Sequence, residues 1–185
     1  EWQAGGYPEP DLVCPVPNSG TPSAQGFALE LGIPYIEAIF KDRYAGRIFL
    51  DPVAERANRA FTNLSVIAGY VKGKKVAVTD DSIVRGDQSI DVARKLYAAG
   101  AKEVYWLATA PPYCYPCFFG INTPDPDRLI AHGRSVEEIR QIIQVDKLHY
   151  LSLESTLEVM RHTNLCTACF TGNYPMAVPL GRKEV

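Results

Sequence analysis

The stretch KVAVTDDSIVRGDQSIDVARKLYAAGAKEVYWLA, residues 75–108, decides the fold. Residues 76–79 are a short apolar run of the kind a buried strand carries. Residues 80–89, mostly polar and with Gly86 among them, follow as a loop. Ser89 then reads as the cap of a helix in which Val92, Ala93, Leu96 and Tyr97 share a face, and Gly100 ends it. Residues 104–108 are the next strand. Strand, helix and strand at this spacing form the βαβ unit of a parallel sheet with helices on its faces, so the fold class is α/β.

Working outward, residues 12–16 predict a strand that feeds the tight loop Pro17-Asn18-Ser19-Gly20. Thr21 is placed to cap a helix over 23–31, with Pro22 in its first position and Gly32 as its stop. Residues 34–39 predict another strand. Residues 41–64 are charged and aperiodic, which suits an exposed loop followed by a short helix. Ser135, with Glu138 three residues on, is a capping box opening a helix to about residue 143. Ser152 caps another to about 160. No repeat or linker divides the 185 residues, so we expect one domain over 1–185, with a cysteine-containing segment at about 145–185.

Composition excludes several classes. Hydrophobic residues make up 46% and charged residues 22%, which is globular. A formal net charge of -2 argues against a nucleic-acid partner held by bulk charge. No apolar run reaches membrane-spanning length and no leader opens the chain, so no membrane partner is expected. The first residue is Glu1 rather than Met, which leads us to expect sequence upstream.

Two chemical features stand out. Asp80 and Asp81 follow directly on a strand, where open parallel sheets bind ligands. Adjacent carboxylates there suit sugar hydroxyls and Mg2+, and a helix N-terminus beyond them suits a phosphate. A solvated turn that merely caps the helix is the alternative. The second feature is a pair of CxxC motifs, Cys114/Cys117 and Cys166/Cys169. Four thiolates can hold one Zn2+, and Fe–S is the other soft-metal choice. A thioredoxin-like redox pair is disfavoured, because no helical pattern follows Cys117. Cys14 reads as a buried small side chain. Paired CxxC without a secretion signal points to a reducing compartment, the cytoplasm.

VAVTDDSIVRGDQS at 76–89 closely resembles the phosphoribosyl pyrophosphate (PRPP) motif of type I phosphoribosyltransferases, in the form used by glutamine amidophosphoribosyltransferases. PVPNSG at 15–20, GIPYIEAIFKDRYAGRIF at 32–49, YPCFFGINTP at 115–124, HGRSVEEIRQII at 132–143 and CTACFTGNYP at 166–175 resemble the same family in the same order. Nothing in the chain resembles the family's amino-terminal glutaminase domain. The resemblance implies transfer of ammonia to PRPP, giving phosphoribosylamine for purine biosynthesis, with a glutaminase domain or subunit as partner and a homo-oligomeric assembly. It places Mg2+ at Ser19, Asp80 and Asp81, and substrate at Asp80, Asp81, Ser82, Arg85, Gly86, Asp87, Gln88 and Ser89. Lys41, Arg43, Tyr44 and Arg47 fall in the family's catalytic loop over the pyrophosphate. Cys117, Cys166 and Cys169 match three ligands of a 4Fe–4S cluster that one subgroup holds. The fourth ligand is open, with Cys114 the candidate within this chain and Zn2+ the alternative metal.

The chain departs from the family in three places. Asp87 and Gln88 stand where its phosphate loop has two threonines, Asn18 where Asp is usual, and Ala60-Phe61-Thr62-Asn63-Leu64 where a basic run is usual. A carboxylate ~4 Å from a phosphate charge costs on the order of 4 kcal/mol at an effective dielectric of about 20. These departures leave a second reading, a substrate-shifted or non-catalytic homologue that holds a metal.

Overall fold

A computed structural model describes residues 1–41, 63–123, 125–161 and 164–178. Its centre is a parallel sheet of β1 (Leu12–Pro15), β4 (Lys75–Asp80), β5 (Glu103–Ala108) and β6 (Lys147–Tyr150), in that spatial order. A separate antiparallel pair joins β2 (Ile39–Lys41) to β3 (Leu64–Val66). The α/β class read from residues 75–108 is therefore the observed one.

Period-two alternation sorts the sheet's side chains between two cores. Leu12, Cys14, Val76, Val78, Val104, Trp106 and Leu148 point to one face. There they meet Val92, Ala93 and Leu96 of α3 (Asp87–Ala98), and Ile139 and Ile143 of α4 (Val136–Ile143). Val13, Ala77, Tyr105 and Leu107 point to the other face, against Ala24 and Ala28 of α1 (Thr21–Leu31) and against Trp2. Burial on both faces is why the strands read as unbroken apolar runs.

The expected caps of α4 and α5 (Leu153–Met160) are present. Ser135 and Glu138 exchange both capping-box hydrogen bonds, and the Ser152 hydroxyl accepts from the Ser155 N–H. Helix α1 differs from expectation at its start. Gly20, not Thr21, is the N-cap, and no side chain caps the helix. Gly20 is held by the strand ends: its N–H donates to the Val16 carbonyl (2.9 Å), and its carbonyl accepts from the Thr79 hydroxyl (3.1 Å). The stop at Gly32 is as expected, in the left-handed conformation.

Residues 34–39 do not form the expected strand. Tyr35 makes one parallel bridge to Val13 at the sheet edge, pairing with β1 ends there, and Ile39 belongs to β2 instead. Pro34 has no N–H to give, and the Ala38 N–H turns back to the Ile36 carbonyl (2.9 Å). Two short helices, α2 (Ala68–Val71) and α6 (Ala168–Thr171), and strand β6 carried too few residues to be read from sequence. Among the described residues, no helix is long and apolar enough to cross a membrane.

Candidate functional site

Asp80 is the last residue of β4, paired with Ala108 of β5, so the acidic pair does sit at the carboxyl end of the sheet. Its two members are not alike. Asp80 is buried, at 2% exposure, whereas Asp81 is exposed. The two adjacent carboxylates read from the sequence are thus unequal in their access to solvent. The reason is the hydrogen-bond shell of Asp80. Oδ1 accepts from the Ser19 hydroxyl and from the Asp81 N–H, both at 3.0 Å, and Oδ2 faces the Gln88 amide at 3.5 Å. Burial pushes the Asp80 carboxyl up to about 7, the Ser19 hydrogen bond opposes this, and the neighbouring Asp81 charge adds to it. The Asp81 side chain accepts from the Ser82 N–H at 2.8 Å.

Beyond the pair, the chain turns at Gly86, whose φ of 86° lies in the left-handed region. A Cβ there would overlap the Ile130 side chain. This turn starts α3 at Asp87, earlier than the expected cap at Ser89, which instead lies buried in the first turn. Gly86 offers no side-chain cap, and the turn walls a cleft of about 290 Å3. Asp80, Ser82, Arg85, Gly86, Asp87, Gln88 and Ser89 all line it. The cleft can take an anion on the backbone and a cation on the carboxylates, but Asp87 adds a negative charge beside the anion position.

The Pro17-Asn18-Ser19-Gly20 loop reaches the same place from β1. Gly20 lies so near the Thr79 carbonyl that Ser19 comes within hydrogen-bond reach of Asp80. Lys41 is exposed at the end of β2. Arg43, Tyr44 and Arg47 lie outside the described residues, as do positions 60–62 of the altered basic run.

The cysteines separate into two groups. Burial, and then the charges of Cys117 and Cys166, push the Cys169 thiol up, with the Tyr113 hydroxyl acting the other way. Cys117 Sγ accepts from the Gly120 and Ile121 N–H groups, both at 3.3 Å. Cys114 belongs elsewhere: it packs against the main core, and its Sγ lies 3.4 Å from the Pro112 carbonyl. Main-chain bonds bring the two CxxC segments together, because the Cys169 carbonyl accepts from the N–H groups of both Cys114 and Tyr115 at 2.9 Å. Among the described residues, no three His, Cys, Asp or Glu side chains are placed to hold a single metal ion.

Sequence reasoning missed Thr109, whose N–H and hydroxyl hold the Asp80 carbonyl at 3.0 and 3.2 Å. It also missed His132, whose Nδ1 lies 2.8 Å from the Cys114 carbonyl. Thr109 directly follows a strand parallel to β4, and that position is the signal that could have found it.

No family model matches the chain. The amidophosphoribosyltransferase of Synechococcus elongatus is 46% identical over 172 residues, covering 91% of this chain and 35% of the relative. That of Archaeoglobus fulgidus is 43% identical over 176 residues, covering 92% and 38%. The glutamine PRPP amidotransferase of Bacillus subtilis, solved in complex with ADP and GMP, superposes with a TM-score of 0.84 at 42% identity. That match covers 95% of this chain and 40% of the other. The sheet and its strand-end loop are therefore those of the type I phosphoribosyltransferase fold. Within that class the chain is homologous to the amidophosphoribosyltransferases and spans about a third of the length of the curated relatives it matches.

Proposed function

We propose that this chain is the PRPP-binding part of an amidophosphoribosyltransferase. The C1–pyrophosphate bond of PRPP breaks, ammonia forms the new C1–N bond, and the amine sheds a proton. One observation carries the reading: Asp80, at the end of β4, lines a cleft walled by the first turn of α3, with the exposed Asp81 next to it in the chain. In this reading Asp81, Asp80 and Ser19 hold Mg2+ and the ribose hydroxyls. Residues 82–89 receive the 5′-phosphate on main-chain N–H groups. Lys41, with Arg43, Tyr44 and Arg47, stabilises the departing pyrophosphate. The 185 residues act as one unit, a glutaminase domain or subunit supplies ammonia, and the assembly is homo-oligomeric in the cytoplasm.

Asp87 and Gln88 favour one competing reading, a repurposed site. Asp87 repels a phosphate at the turn, and the Gln88 amide lies against Asp80 Oδ2. Calorimetry with PRPP and Mg2+ separates the two. We expect the purified chain to bind, and the double variant Asp87→Thr/Gln88→Thr to bind about tenfold more tightly, the effect of roughly 1.4 kcal/mol of relieved repulsion. No heat from either protein at millimolar ligand overturns the assignment. Heat from the variant alone supports the repurposed site.

For the cysteines we propose Cys117, Cys166 and Cys169 as three ligands of a 4Fe–4S cluster. The donor set fits in kind: three soft thiols, two of which raise the third, and one accepting main-chain N–H groups as cluster sulfurs do. The fourth ligand stays open, with Cys114 packed against the main core. A cluster would bring structural cross-linking to this segment. Anaerobically purified protein is expected to be brown, absorbing broadly near ~400 nm, unlike d10 zinc. A colourless protein with one zinc per chain would reject the cluster.

A further inference from the structure

A second cleft, of about 190 Å3, lies behind the phosphate-facing turn. Arg85, Arg128 and Arg134 line it, with Asp127 as its single carboxylate and Ile130 and Ile142 as apolar floor. Arg85 belongs to both clefts. The walls are tied together, since the Ile130 N–H donates to the Val84 carbonyl at 2.9 Å and Ile130 packs under Gly86. Arg134 is braced by the Ile130 carbonyl at 3.1 Å and the Leu129 carbonyl at 3.5 Å. Among the described residues, none of the three guanidinium groups takes part in an ion pair.

Three like charges around one small concavity repel each other, and an anion seated between them reverses the sign of that interaction. Guanidinium forks match the oxygens of a phosphate, to which they donate in pairs. A single phosphate group is of a size that a cleft of about 190 Å3 can seat. We propose that this cleft is a second anion site, one that takes a single phosphate group. It is separate from the ribose-phosphate cleft, with Arg128 and Arg134 as its own ligands and Arg85 shared.

The test uses inorganic phosphate and reads the arginine Nε–Hε resonances by NMR, with chloride at matched ionic strength as the control. Phosphate is expected to move the Arg128 and Arg134 signals saturably. Arg128→Ala should weaken the Arg134 response about tenfold, the size of one charge-assisted hydrogen bond. Arg128→Lys, which keeps charge but loses the fork, should fall between the two. Ribose 5-phosphate should act as inorganic phosphate does if the group alone is recognised. A response that chloride reproduces, or one that Arg128→Ala leaves unchanged, overturns the site. PRPP and Mg2+ are absent from this measurement, so its failure is distinct from failure of the function proposed above.

Discussion

Asp81→Asn is expected to abolish the Mg2+-dependent part of PRPP binding while leaving the fold intact. Asp81 is exposed, and its side chain accepts from the Ser82 N–H at 2.8 Å, a bond that an asparagine oxygen can also accept. The substitution therefore removes charge with little change of shape. Groups that only hydrogen-bond a metal's ligands already cost about 10–100-fold in affinity when lost, so a direct ligand should cost on the order of 100-fold or more. Titrations with and without Mg2+ would show it, alongside an unchanged urea midpoint. If the Mg2+-dependent affinity falls only a few-fold, the strand-end pair is not what holds the metal. Asp80→Asn is a poorer probe, because Asp80 is buried and also holds Ser19 and the Asp81 N–H.

Gly20→Ala is expected to be the most destabilising small substitution near the site, at about 3 kcal/mol. Its Cβ would overlap the Thr79 carbonyl oxygen and lie 3.0 Å from the Val16 nitrogen. Both are backbone atoms, and they are bonded to each other: the Val16 N–H donates to the Thr79 carbonyl at 2.8 Å. Neither can move without opening the end of the β1–β4 pair. The urea midpoint should fall with the slope unchanged. PRPP affinity should fall with it, as Ser19 is pushed off Asp80. Gly26, in α1 with open space around it, is the control; Gly26→Ala should stabilise by up to about 1 kcal/mol. Equal midpoints for the two variants would show that the Ser19 loop is not built on a close backbone approach.

The parts of the fold that were legible in sequence are those where one local signal suffices. Residues 75–108 combine an apolar run, a helical face and a terminating glycine, and Ser135 with Glu138 forms a cap that needs no tertiary help. What could not be read depends on long-range geometry. Gly20 is a cap because Thr79 faces it, and α3 starts at Asp87 because Gly86 turns against Ile130. Residues 34–39 look like a strand, yet a sheet edge with one proline and one inward-turned amide supports only a bridge. At the site, residue types and their order were legible, but the inequality of Asp80 and Asp81 was not. It comes from Ser19 and Gln88, one distant in sequence and the other across the loop between β4 and α3.

The Cys169 carbonyl, which receives the N–H groups of Cys114 and Tyr115, bears on how this region can diverge. Docking of the carboxy-terminal segment is written in the main chain, which any side chain can support, and Tyr174 adds a hydroxyl bond to the Pro116 carbonyl at 2.8 Å. The contact between the two CxxC segments is therefore made by main-chain groups, and the thiol of Cys169 takes no part in it. Metal chemistry can be gained, exchanged or lost here by substituting single side chains, with the sheet and its strand-end loop left undisturbed.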